Sequence, residues 1–149
     1  MFSGVFQHAI DAKGRTSLPA KFRELLAAQN ADKLFVTTDL IDDCLVAFAP
    51  ASWQRMAEKI ASLSMFDERT RLLTRSFIAP AQECPVDKLG RILIPPTLRE
   101  YAGLSEEITW AGTVERIEIW APAKWADVQK AARAPETKKD LARRLSELL

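Results

Sequence analysis

The sequence has little of what most enzymes need. Among its 149 residues there is one histidine, His8, and there are two cysteines, Cys44 and Cys84. A Ser-His-Asp or Cys-His set could only use His8. It falls mid-strand with no serine or cysteine beside it, which is the setting of a strand-face histidine. The cysteines lie far apart and form no CxxC pair, so they read as two packed, reduced thiols rather than a disulfide or zinc site. No P-loop and no GxGxxG is present. The acidic pair Asp42-Asp43 suits the closing of a hairpin, and carboxylates doing acid–base work would need partners the sequence does not supply. No catalytic residue, metal, cofactor or small-molecule substrate is therefore expected. Long hydrophobic runs are also missing, and none approaches the ~20 apolar residues that cross a bilayer. The opening MFSGVFQHAID lacks the basic start and apolar stretch of a secretory signal. The expectation is a cytoplasmic protein with no membrane partner. An excess of charge is the last absence. Lys and Arg number 21 against 20 Asp and Glu, a formal net charge of +1. That excludes a broad basic surface. Any contact with nucleic acid must come from a small local cluster, multiplied by repetition in space.

What is present is ordinary in bulk and unusual in order. The apolar fraction of 48% and the charged fraction of 28% suit one compact domain, or two halves sharing a core. The stretch DAKGRTSLPAKFRE, Asp11 to Glu24, returns as DKLGRILIPPTLRE, Asp87 to Glu100, 76 positions on. Later landmarks recur too. Ala49-Pro50-Ala51-Ser52-Trp53 is answered by Ala121-Pro122-Ala123-Lys124-Trp125, at an offset of 72. A shorter loop in the second copy accounts for the difference.

Each copy reads as hairpin, helix, hairpin and two helices. Val5 to Ile10 alternates as a strand, and the turn Asp11 to Gly14 closes a hairpin onto Arg15 to Leu18. A short helix covers 19–28, with Pro19 tolerated in its first turn. Leu34 to Thr37 and Leu45 to Phe48 pair around Asp42-Asp43. Trp53, Met56, Ala57, Ile60 and Leu63 fall at helical spacing, and a further helix runs from about Asp67 to Ser76. In the second copy, 82–86 leads into the turn Asp87 to Gly90. Arg91 to Ile94 is a strand, Pro95-Pro96 opens a helix stopped near Gly103, and 107–111 pairs with 115–120. Helices follow at about 123–133 and 137–148, divided by Pro135. No low-complexity linker separates the copies, so their strands should share one sheet system or barrel. Trp53 and Trp125 begin matching helices and suit core packing. The tail ETKKDLARRLSELL sets Leu141, Leu145 and Leu148 against a basic face of Lys138, Lys139, Arg143 and Arg144. A docked amphipathic helix is the simplest expectation, with a subunit or auxiliary DNA contact as the sharper one.

The DxxGR tips carry the chemistry. Asp at the first position caps a type I turn, and Gly at the fourth accepts a left-handed backbone, so Asp11, Gly14, Asp87 and Gly90 are explained as turn formers. Strand alternation sends Thr16, Leu18, Ile92 and Ile94 to one face, and Arg15, Ser17, Arg91 and Leu93 to the other. Two readings of Arg15 and Arg91 stay open. Each could pair with the Asp four residues earlier, or could offer a planar guanidinium to phosphate or a guanine edge. Lys13 and Lys88 add positive charge within the turns.

At these residues the chain resembles the MraZ family of bacterial regulators, in the SpoVT-AbrB superfamily. The resemblance rests on the opening Met1, Phe2 and Gly4, the motifs Asp11 to Arg15 and Asp87 to Arg91, the steps Leu18-Pro19 and Ile94-Pro95, and Ile117-Glu118-Ile119-Trp120. It implies an α+β fold, a small β-barrel of two swapped-hairpin repeats with surrounding helices. Those repeats would span 5–52 and 81–124, followed by helices within 53–76 and 125–149, all in one compact unit. It further implies a ring-like homo-oligomer, associated with the nucleoid. Such a ring binds direct repeats in double-stranded promoter DNA upstream of its own division and cell-wall gene cluster and regulates their transcription. Carried over by motif, the DNA-contacting signature falls on Asp11 and Arg15, and on Asp87 and Arg91. The first copy is more polar and basic nearby, with Ser17 against Leu93 and Lys21 against Thr97, so Arg15 is expected to be the stronger contact. Two other classes stay in view: a ring-forming interaction module whose arginines close turns or subunit contacts, and an antitoxin-like superfamily member with a toxin-binding tail.

Overall fold

The computed structural model describes all 149 residues. In the first copy, β1 (Phe2–Ala9) leads through the first tip to β2 (Arg15–Ser17) and α1 (Ala20–Ala28). The hairpin β3 (Lys33–Thr38) and β4 (Leu45–Phe48) follows, then α2 (Pro50–Ala61), α3 (Glu68–Leu73) and a π-helical turn at Thr74–Ile78. The second copy repeats this order with β5 (Gln82–Pro85), β6 (Arg91–Leu93), α4 (Pro96–Ala102), β7 (Glu107–Val114), β8 (Arg116–Trp120), α5 (Pro122–Ala132) and α6 (Pro135–Leu148). Proline opens α2, α4, α5 and α6. Its fixed φ suits the first helical position, where the missing N–H would have had no partner. Gly103, at φ 67°, ends α4 in the left-handed conformation.

The sheet is woven from both copies. Six strands run in the order β1-β7-β8-β4-β3-β5, all antiparallel. The outer strands each come from the copy opposite their neighbour: β1 pairs with β7, and β5 with β3. The pairing that closes the structure lies in a second sheet, where β2 pairs with β6. There Thr16 faces Ile92, its own counterpart 76 positions on. In β4–β8, Val46 faces its counterpart Glu118. Both self-matched pairs mark one pseudo-twofold axis through the chain. The flanking hydrogen bonds obey it: Leu18 N–H donates to the Gly90 carbonyl at 2.9 Å, and Ile94 N–H to the Gly14 carbonyl at 2.8 Å.

This arrangement corrects one expectation. Asp11 to Gly14 does not fold Arg15 to Leu18 back onto β1 as a hairpin; one bridge, Ile10 to Thr16, joins them. A three-residue strand in a lone hairpin could not bury its apolar side. Crossing to the other copy lets Thr16, Leu18, Ile92 and Ile94 bury together, each 2% exposed or less. Leu18, Ile92 and Ile94 join Phe22, Leu26, Leu34, Trp110, Ile117 and Ile119 in the larger core cluster, of 20 buried residues. Swapping thus gives the two copies one shared core.

A smaller cluster lies beneath α2, where Trp53 stacks on Phe35 with ring centroids 5.5 Å apart and Phe77 of the π-helical turn covers it. The second copy lacks this cover. Trp125 packs on Trp120 at 5.8 Å, but α6 turns away after Ala134 and buries none of its residues. Leu141, Leu145 and Leu148 are 52%, 58% and 77% exposed, so the tail is not docked on its own chain's core. Around β3–β4 the loop is held by Asp39 rather than by Asp42-Asp43. Its buried carboxylate accepts from the Asp42 N–H at 3.1 Å, and its carbonyl accepts from Tyr101 Oη at 2.6 Å. Asp43 instead pairs with Lys124 at 2.6 Å. Cys44 and Cys84 are free and buried, and burial pushes both thiols up, Cys84 to about 12. No helix is long and apolar enough to cross a membrane.

Candidate nucleic-acid interface

The swap brings the two DxxGR tips to one place. Each tip is built alike. Asp11 Oδ1 accepts from the N–H groups of Lys13 and Arg15, both at 2.9 Å, and the Gly14 N–H donates to the Asp11 carbonyl at 2.9 Å. Asp87 Oδ1 accepts from Leu89 and Arg91 N–H groups at 2.9 Å, and the Gly90 N–H donates to the Asp87 carbonyl at 3.0 Å. Gly14 and Gly90 hold φ of 94° and 77°, a conformation that strains any side chain with a Cβ. An arginine of the other copy backs each glycine. Arg99 reaches under Gly14, its Nε donating to the Ile94 carbonyl at 2.9 Å, and Arg23 lies against Gly90. Sequence reading passed over this pair, although the repeated Arg-Glu that ends both quoted stretches was its signal.

The outer face of the β2–β6 ribbon carries Arg15 opposite Leu93 and Ser17 opposite Arg91. Around it lies a shallow groove of about 380 Å³, lined by Lys13, Arg15, Asp87, Arg91 and Leu93 among others. Both arginines, one lysine from the first tip and one carboxylate from the second therefore share one surface. Lys88 is exposed in its turn and lies outside the groove. The offset is legible: Lys13 is third in its motif, Lys88 second.

Both arginines form the ion pair that was one of their two readings, and neither pair is buried. Arg91 Nε donates to Asp87 Oδ2 at 3.0 Å, with the side chains 33% and 40% exposed. Arg15 Nε sits 3.2 Å from Asp11 Oδ2, but is not aligned to donate and finds no other acceptor. Arg91 is thus the more firmly held, and Arg15 the freer to turn toward a ligand. Exposed pairs of this kind contribute little to stability, so releasing a guanidinium costs little.

The backbone N–H groups of Arg15 and Arg91, each donating to the Asp of its own tip, hold both carboxyls below the usual carboxylate range. A folded-state pKa below the unfolded one gives stability that is present above the unfolded value and lost as pH falls through the folded one. The tips are therefore expected to keep their shape from neutral pH down to about 4, the ordinary carboxylate value, and to loosen below it. Urea unfolding of the native chain and of Asp11→Asn/Asp87→Asn across pH 3 to 7 checks this. The difference in stability should be constant above about pH 4 and shrink beneath it.

Comparison with known proteins now places this architecture. Residues 1–76 and again 77–147 match the family described as "MraZ protein, putative antitoxin-like". The chain belongs to the MraZ family. The junction of the two matched spans, at 76/77, falls within the π-helical turn Thr74–Ile78 that precedes β5. Among MraZ relatives, a protein named "Transcriptional regulator MraZ" from Thermomicrobium roseum is 43% identical over 151 aligned positions, covering 100% of both chains. One of the same name from Acetivibrio thermocellus is 44% identical over 125 residues, 84% of each chain. A third, from Caldanaerobacter subterraneus, is 40% identical over 131 residues, 88% of each. MraZ is a family of transcriptional regulators and not of enzymes.

Proposed function

We propose that this chain regulates transcription by binding double-stranded promoter DNA through the groove between its two tips. In this reading Arg15 and Arg91 are the principal contacts, and Lys13 and Lys88 add phosphate attraction. Asp11, Gly14, Asp87 and Gly90 fix the tips, in repeats taken as 5–52 and 81–124. The observation that carries the reading is the meeting of two rigidly mounted guanidinium groups on one exposed ribbon. A two-stranded ribbon is of a size that the major groove admits, and a guanidinium matches the two acceptors of a guanine edge.

Net charge sets the rest of the proposal. With +1 per chain, a single copy neutralises few phosphates, and each contributes a salt slope of only about −0.9. Affinity must then come from several copies on one duplex. A ring of subunits would present the ribbon at regular intervals to direct repeats, in the promoter of its own division and cell-wall cluster. The exposed leucines of α6 offer a surface for such assembly. Localisation to the cytoplasm and nucleoid follows from that role.

The observed Asp–Arg pairs also suit a second reading, in which the arginines serve only to close the tips of a ring-forming interaction module. One experiment separates the two. Gel shifts with the DNA just upstream of the gene, at two salt concentrations, compare the native chain with Arg15→Ala and Arg15→Ala/Arg91→Ala. Binding should weaken about tenfold to a hundredfold per lost bidentate contact, with assembly size unchanged by light scattering. Broken assembly with no DNA binding to lose would favour the interaction module.

A further inference from the structure

The pseudo-twofold axis that builds the ribbon is broken at one place on its outer face. Rotation about the Thr16–Ile92 pair exchanges Arg15 with Arg91, and the chain honours that exchange. The same rotation exchanges Ser17 with Leu93, and the chain does not honour it. Leu93 is 51% exposed, directly across the ribbon from Arg15, on the surface where both guanidinium groups emerge. Its neighbours Ile92 and Ile94 are buried, so Leu93 is the apolar side chain of β6 that the core does not use.

We propose that Leu93 is a specificity-determining residue that reads a thymine methyl group next to the base contacted by Arg15. The inference rests on the DNA-binding reading above and deepens it. In the major groove the base edges offer donors, acceptors and one apolar feature, the C5-methyl of thymine. An exposed leucine carried into that groove has no other complementary partner. Directly opposed residues of an antiparallel pair have Cβ atoms about 4.5–5.5 Å apart, and successive base pairs rise about 3.4 Å, so Arg15 and Leu93 reach neighbouring steps.

The broken symmetry has a consequence for the DNA. A surface with true twofold symmetry reads a palindrome, as dimeric readers do. Here one end of the ribbon pairs a guanidinium with an apolar side chain, and the other pairs a guanidinium with a hydroxyl. The element it reads therefore has a direction. That direction suits the direct repeats of the proposed function.

The test starts from duplexes enriched by the native chain from a random double-stranded library. In the enriched duplex, each thymine is replaced in turn by deoxyuridine, which deletes only the methyl group. One position is expected to weaken binding by roughly fourfold per box, the worth of a single buried methyl. Leu93→Ser should bind the thymine and uracil duplexes equally, with unchanged thermal stability. Equal affinity of the native chain for every substituted duplex would overturn the role of Leu93 and leave the DNA-binding reading intact. Persistence of the methyl preference in Leu93→Ser would do the same. Enrichment of no duplex at all would overturn the underlying reading and the inference with it.

Discussion

A duplex carrying several boxes in tandem should bind about 10²- to 10⁴-fold more tightly than one of equal length carrying a single box. Effective concentration is the cause. One copy offers two guanidinium groups and one groove lysine, on a chain with a net charge of +1. Its contact with a lone box is weak. In the proposed ring, once a first subunit is seated, a second meets its box without paying again for translational freedom. Spacing enters as sharply as number, since a box placed out of reach adds nothing. Fluorescence anisotropy with one, two and four boxes, at constant duplex length, measures the effect. Inserting half a helical turn between boxes should abolish most of the gain. Equal affinity for one box and for four would contradict the multivalent account.

The second large effect is on the tips themselves. Gly14→Ala should lower the melting temperature by about 10 °C or more, and Gly90→Ala by about half as much. Both glycines hold left-handed φ values, which cost a residue with a side chain about 1–3 kcal/mol. For a chain of this size each kcal/mol moves the midpoint by about 2–4 °C. The surroundings then separate the two. A Cβ on Gly14 would run into the Ile94 carbonyl, which is fixed by the Ile94 N–H to Gly14 carbonyl bond of the ribbon. A Cβ on Gly90 would meet only the Arg23 side chain, whose guanidinium can move aside. Calorimetry on both variants checks the order. A larger loss for Gly90→Ala would show that the Arg23 contact is the less yielding of the two.

Much of this was legible in the residues. Periodicity placed α2, and Pro95-Pro96 and Gly103 marked the two ends of α4. Alternation put Thr16, Leu18, Ile92 and Ile94 inward and the arginines outward. What local pattern could not carry was the partner of β2. A strand of three residues has the same alternation whether it pairs with the strand before it or with its counterpart 76 positions away. Only the shared burial of four side chains decides, and that is a property of the whole chain. The tail failed differently. Leu141, Leu145 and Leu148 have the spacing of a docked helix, but spacing says that a face is apolar, not that this chain covers it. The candidate site was legible in its parts and hidden in its assembly. Arg15 and Arg91 were found from their motifs, while their meeting on one ribbon, the support of Arg23 and Arg99, and the place of Leu93 opposite Arg15 all follow from the swap.

Photocrosslinking reports most directly whether the joint surface of the two tips touches DNA. An enriched duplex with 5-iodouracil at each thymine in turn is irradiated on the full chain, and the crosslinked peptides are mapped. The account predicts crosslinks within 11–17 and 87–93, lost together in Arg15→Ala/Arg91→Ala. Crosslinks confined to the basic face of α6, with both tips silent, would contradict it.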